Sequence, residues 1–127
     1  MLITRTTFED IDNIKANKYF VNTKEMLKHS LKFQEVFTFK DGDIKAIVMF
    51  HKFCTNCFRC GVVLADDFNP HFLKHLKVWV EKQIKKHKCK RLETEGYCDK
   101  ILYRFHKFMG FKEEVILNNG DYIKWVK

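Results

Sequence analysis

Among 127 residues the sequence has one proline and five glycines, which leaves little room for linkers. No stretch is of low complexity, and nothing repeats at solenoid spacing. No apolar run approaches the length of a membrane-spanning helix. Residues 1–20 carry Arg5, Glu9, Asp10, Asp12 and Lys15 and lack the apolar centre of a secretory signal. These absences lead us to expect one compact domain over 1–127, not secreted and not in a membrane.

Aromatic and basic residues are plentiful. A hydrophobic content of 46% with thirteen phenylalanines can fill a core at this chain length. The formal charge of +8 is unevenly spread. Lys74, Lys77, Lys82, Lys85, Lys86, Lys88, Lys90 and Arg91 crowd one segment, opposed by Glu81. Such a patch is either a solvated helix face or a surface that attracts nucleic acid or an acidic protein. The aromatics fall at core spacing and are not interleaved with the lysines, so nucleic-acid contact ranks as weak and secondary.

Residues 2–5 read as a strand. Thr6 or Thr7 then caps a helix with Phe8, Ile11 and Ile14 on its inner face. A second helix starts near Asn22 or Thr23, with Met26, Leu27, Ser30 and Leu31 inward. Strands over 35–39 and 44–53 flank Lys40-Asp41-Gly42-Asp43, a hairpin signal. A further strand covers 58–65. Asn69 caps the next helix and Pro70 takes its first position; Phe72, Leu73, Leu76, Trp79, Val80 and Ile84 form its stripe. A short strand follows over 91–95. A helix over 99–109 points Ile101, Leu102, Phe105 and Phe108 inward, and Gly110 ends it in the left-handed conformation. Residues 111–117 and 121–126 close the chain as a hairpin through Asn118-Asn119-Gly120.

The spacing in Cys54-Thr55-Asn56-Cys57-Phe58-Arg59-Cys60 permits a thiolate metal site, extended by His51 or by Cys89 ahead of the fifth strand. Cys98 falls at the other end of the sheet and no second CxxC exists. No metal site is therefore assigned, because free cysteine also packs well as a small core residue. Disulfides are not expected.

The order βααβββαβαββ describes an α/β (α+β) domain. It has a mixed, mostly antiparallel seven-stranded sheet and about four helices. It resembles the GNAT N-acetyltransferase fold. The local match is Phe105-His106-Lys107-Phe108-Met109-Gly110-Phe111-Lys112-Glu113-Glu114, similar to that family's late helix, Gly-Phe pair and sixth strand. Gly120-Asp121-Tyr122-Ile123-Lys124-Trp125 fits its last hairpin. Arg91, Glu93, Arg104, Phe105, Gly110, Phe111 and Glu114 are similar to a pattern in small phage-encoded GNAT-like proteins, several of them virion components.

The resemblance implies an acetyl-CoA pyrophosphate site where the fourth strand meets the third helix. Relatives use Gln/Arg-x-x-Gly-x-Gly/Ala there, so that backbone N–H groups reach the phosphates. This sequence reads Ala65-Asp66-Asp67-Phe68-Asn69-Pro70-His71-Phe72, with two carboxylates and no glycine. The resemblance also implies a tyrosine four residues before the Gly of Gly-Phe to protonate the departing thiolate. His106 stands there, with Tyr103 nearby, and Asp99 stands where an asparagine is common. Glu93 is either a general base or a strand glutamate paired with a lysine or arginine.

The expectation that follows is a non-catalytic GNAT-fold protein without a cofactor. It would act by protein contacts, as a phage virion or assembly component, in host cytoplasm or inside the virion. Its interaction surface would be Lys74, Lys77, Lys82, Lys85, Lys86 and Lys88. The alternative is an acetyl-CoA-dependent N-acetyltransferase with an unusual grip on CoA. Val63, Leu64, Ala65, Asn69, Pro70 and His71 would then bind the cofactor in the splayed gap between the fourth and fifth strands, with Glu93, His106 and Tyr103 as the catalytic set.

Overall fold

The computed structural model describes residues 1–15, 23–67, 69–97, 99–117 and 122–127. The elements are β1 (Leu2–Arg5), α1 (Phe8–Asn13), α2 (Thr23–Ser30), β2 (Glu35–Asp41), β3 (Asp43–Cys54) and β4 (Cys57–Leu64). They continue as α3 (Pro70–Lys86), β5 (Arg91–Tyr97), α4 (Lys100–Phe108), β6 (Lys112–Leu117) and β7 (Tyr122–Val126). The seven strands form one sheet of order β1-β2-β3-β4-β5-β7-β6. β4 and β5 run parallel, while β1–β2, β2–β3, β5–β7 and β6–β7 are antiparallel. This is the expected element order and fold class. By compactness the chain divides into two units, residues 1–51 with 61–78 and residues 52–60 with 79–127.

In the first unit, Thr7 caps α1 reciprocally. Its hydroxyl accepts from Asp10 N–H and the Asp10 carboxylate accepts from Thr7 N–H, each at 3.1 Å. Asp10 does more than cap. Its Oδ2 also accepts from the Thr38 hydroxyl at 3.0 Å, and its Oδ1 pairs with Lys40 Nζ at 3.2 Å. Burial works against the charge on Asp10. The Thr7 amide, Lys40 and Thr38 outweigh it and hold the carboxyl below the ordinary aspartate value. One buried carboxylate thus ties α1 to β2. The core beneath is Ile11, Ile14, Leu27, Val36, Ile47, Val63 and Ala65. Phe39 and Phe72 meet edge to face at 6.1 Å.

Three expectations need correction here. Phe8 and Met26 face solvent, at 56% and 60% exposed, and not the core. α1 has six residues and α2 eight, too few turns for apolar spacing to fix a face. The β2–β3 turn is tighter than Lys40–Asp43: Asp41 already pairs with Asp43 around Gly42, whose φ is +75°. The register shift between Phe39 and Lys40 absorbs the difference.

In the second unit, β7 pairs with β5 from Glu93↔Val126 to Tyr97↔Tyr122 and with β6 from Lys112↔Val126 to Leu117↔Tyr122. Asp99 Oδ1 accepts from the amides of Ile101 and Leu102 and caps α4. Gly110 leaves α4 at φ +90°, and Lys127 Nζ donates to the Met109 carbonyl at 2.7 Å. Here too the inner face is corrected. Ile101 and Phe108 are exposed, while Leu102, His106 and Met109 are buried. β5 runs two residues past Glu95, to Tyr97. The expected turn at Asn118-Asn119-Gly120 lies outside the described residues.

Replacing Asp10 by alanine removes a cap bond, a buried hydroxyl partner and an ion pair together. We expect Asp10→Ala to lower unfolding stability by about 2–3 kcal/mol in chemical denaturation at neutral pH. Because the folded carboxyl sits below its unfolded value, this difference shrinks as pH falls through the carboxylate range toward the folded value. A difference that stays constant down to strong acid contradicts the assigned role.

Candidate functional site

The junction of β4 and α3 belongs to the first unit. Val63 and Leu64 close β4 and Ala65 follows it, all three buried. Ala65 N–H donates to the Lys45 carbonyl at 2.9 Å, and Asp66 N–H donates to the Lys15 carbonyl at 2.8 Å. α3 begins immediately beyond. Asn69 Oδ1 accepts from Phe72 N–H at 2.9 Å, as its cap position requires, and Pro70 takes the first helical position. The first turn carries no acidic residue.

The two aspartates of the junction are not equivalent. Asp67 Oδ2 lies 2.7 Å from Lys45 Nζ, and that hydrogen-bonded pair holds the Asp67 carboxyl below its ordinary value. Asp66 is exposed. The charge of Asp67 is therefore matched by a cation from β3, a pairing across 22 positions of sequence that no local pattern announces. A groove of about 730 Å³ beside the junction is lined by residues of both signs, among them Arg5, Asp10, Lys15, Lys40, Asp43 and Asp67.

The other candidates belong to the second unit. Glu93 on β5 is buried. Its Oε2 accepts from Arg91 Nε at 2.8 Å and its Oε1 lies 3.1 Å from Lys124 Nζ, with Arg59 Nε at 3.9 Å. Arg91 bridges onward to Glu114 on β6, and Lys124 stands 3.7 Å from the same carboxylate. Arg91 pulls the Glu93 carboxyl below the ordinary glutamate value; burial opposes this and Lys124 reinforces it. A carboxylate so held is fully ionised at neutral pH and weakly basic.

His106 faces inward. Its ring stacks on Trp125 at 5.1 Å and 15°, and its Nδ1 is 2.8 Å from the Leu102 carbonyl, which fixes Nδ1–H as the donor. Gly96 lies against the ring at Cε1, where a Cβ would stand 2.8 Å away. Burial pushes the imidazole below its ordinary pKa, against the Leu102 hydrogen bond. Tyr103 is the more open of the two. It is 36% exposed, with its ring 5.1 Å from Trp125 and Lys107 Nζ 5.7 Å above it.

Cys54 is exposed, Cys57 and Cys89 are half-buried, and Cys60 is buried, with its thiol pushed up to about 12 by burial. Cys89 Sγ donates to the Arg91 carbonyl at 3.1 Å. Among the described residues no group of three or more His, Cys, Asp or Glu is placed to hold a metal ion. Cys98 lies outside the described residues. Lys74, Lys82, Lys85, Lys86 and Lys88 are exposed and Lys77 half-buried along and just after α3. Among the described residues no helix is long and apolar enough to cross a membrane.

No protein-family model and no curated protein sequence matches the chain. Solved structures do match. The smu.2055 protein from Streptococcus mutans UA159 superposes with a TM-score of 0.76 at 12% identity, over 100% of this chain and 98% of that one. A Bacillus subtilis acetyltransferase in complex with CoA gives 0.75 at 12% identity, over 98% and 95%. A GNAT-family acetyltransferase from Bacillus anthracis gives 0.70 at 12% identity, over 99% and 93%. The chain therefore has the fold of GNAT-family acetyltransferases over its whole length.

The His106 environment makes a signed prediction. The folded-state pKa is depressed, so stability is complete above the unfolded value and declines as pH falls through it toward the folded value. We expect the wild type to lose more stability than His106→Phe between pH 7 and pH 5 in thermal unfolding. Parallel losses in the two proteins indicate that the imidazole titrates as a surface group.

Proposed function

We propose that the protein binds an acyl-CoA thioester and transfers its acyl group to an amine. The observation that carries this reading is the Lys45–Asp67 pair at the start of α3. Two aspartates in the junction argue for repulsion of a pyrophosphate. With Asp67 matched by Lys45 and Asp66 exposed, the N-terminal end of a 17-residue helix with no first-turn acid remains attractive to phosphate oxygens. The fold it shares with acetyltransferases, one of them in complex with CoA, supports the same reading. A packaged or scaffold role, expected from the missing glycines, has the sequence resemblance behind it and no structural observation.

In the proposed reaction an unprotonated amine attacks the thioester carbonyl. The C–N bond forms, the C–S bond breaks, the attacking nitrogen gives up a proton and the departing thiolate takes one up, so that no net proton is gained or lost. This chain's part in binding would fall to the backbone of Val63, Leu64 and Ala65, whose strand edge suits the amides of the cofactor arm, and to the first turn of α3. There Pro70 offers no N–H and Asn69 occupies that of Phe72, so the His71 amide is the first-turn donor for a phosphate. Rate would come chiefly from holding amine and thioester together. Glu93 and His106 have the environments of structural residues, and of the three catalytic candidates Tyr103 keeps the solvent access that a proton donor needs.

The experiment is calorimetric titration of the purified protein with acetyl-CoA and CoA at physiological salt, followed by mass spectrometry of amine acceptors for an acetyl increment. We expect saturable binding that weakens by about tenfold or more in Pro70→Glu, which places a carboxylate in the helix's first turn without opposing the helix. Absence of binding, or equal affinity in Pro70→Glu, overturns the proposal.

A further inference from the structure

Helix α3 opens Pro70-His71-Phe72-Leu73-Lys74-His75. Residues four apart share a helix face, and both histidines are exposed. Their Nε2 atoms lie 3.2 Å apart, with ring centroids 4.8 Å apart and ring planes at 84°. Two neutral imidazoles can meet this way only when one Nε2–H donates to the lone pair of the other.

We propose that His71 and His75 form a two-point site for a borderline divalent metal ion of the zinc, nickel and copper class. The bite distance carries the argument. With metal–nitrogen bonds of about 2.0–2.1 Å and a tetrahedral angle, two nitrogens on one ion stand roughly 3.3–3.4 Å apart. The 3.2 Å observed is close to this separation. Binding needs one adjustment. The ring that carries Nε2–H moves that proton to Nδ1, so that both Nε2 lone pairs face the ion and the hydrogen bond between the rings is exchanged for two metal–nitrogen bonds. The remaining coordination positions fall to water, which makes the site open.

Imidazole selects this class of metal. Magnesium and calcium prefer oxygen ligands and are not expected to bind. Two influences limit the affinity: the positive end of the α3 dipole and Lys74, which lies between the histidines in sequence. Two protein ligands with those opposing charges predict binding well short of that of a structural zinc site. The inference does not depend on the acyl-CoA reading, because it concerns side chains of the unliganded protein.

The test titrates nickel chloride and zinc chloride into the folded full chain after its accessible thiols have been alkylated, which removes those cysteines as competing ligands; Cys60 is buried. Binding is read by calorimetry, and the histidine ring resonances are followed by NMR. We expect one ion per chain, with the rings of His71 and His75 perturbed before those of the other four histidines. Binding should weaken about tenfold or more in His71→Gln and in His75→Gln, and magnesium should have no effect. Both positions are exposed, so neither variant should disturb folding. Equal affinity in wild type and both variants, or perturbation of other histidines first, overturns the site, as does absence of binding at millimolar metal.

Discussion

A buried carboxylate with its cations sets the arrangement of the second unit. Glu93 sits on β5 between a parallel neighbour and an antiparallel one, opposite Arg59 of β4 and Val126 of β7. An uncompensated charge there would cost several kcal/mol. Arg91, two residues earlier on the same strand face, supplies one cation, and Lys124 on β7 supplies another. Arg91 then joins Glu114 on β6. The chain of charges runs across β5, β7 and β6 in their order in the sheet. A slip of one residue in β7 would turn Lys124 to the other face and leave Glu93 short of a partner. The pairing therefore reinforces the register that burial of Ile123 and Trp125 on β7 also requires.

The first unit repeats the device with different chemistry. Asp10 is buried against a helix cap, a threonine hydroxyl and a lysine, and it ties α1 to β2. In both units a buried carboxylate is committed to holding elements together. The groups with solvent exposure are elsewhere: the first turn of α3, the imidazoles of His71 and His75, and the Tyr103 ring. The functional reading rests on these and not on the buried charges.

Much of the fold was legible because its punctuation is local. Thr6 or Thr7 and Asn69 read as caps, Asp41-Gly42 as a turn and Gly110 as a helix end, and each follows from a side chain or a φ that acts within four residues; Asp99, read as the first residue of its helix, is its cap. Helix faces were less legible. Apolar counting placed Ile101 and Phe108 inward on α4, yet the buried position belongs to His106, a polar residue made tolerable by the Leu102 carbonyl, the Trp125 face and the space left by Gly96. The junction before α3 was half legible. Its lack of glycine and its two aspartates are plain in the sequence, but the Lys45 that matches Asp67 comes from a distant strand. The i, i+4 spacing of His71 and His75 was visible in the sequence; the distance between their nitrogens was not.

The central claim is that Glu93 is an anchoring charge and not a proton acceptor poised near neutrality. The most direct measurement is the titration of its side-chain carboxyl by carbon-13 NMR in the wild type and in Arg91→Gln. We predict a wild-type midpoint below the ordinary glutamate value of 4.5, and a higher midpoint once the guanidinium is removed. A wild-type midpoint at or above that value, unmoved by Arg91→Gln, would contradict the account and return Glu93 to the catalytic candidates.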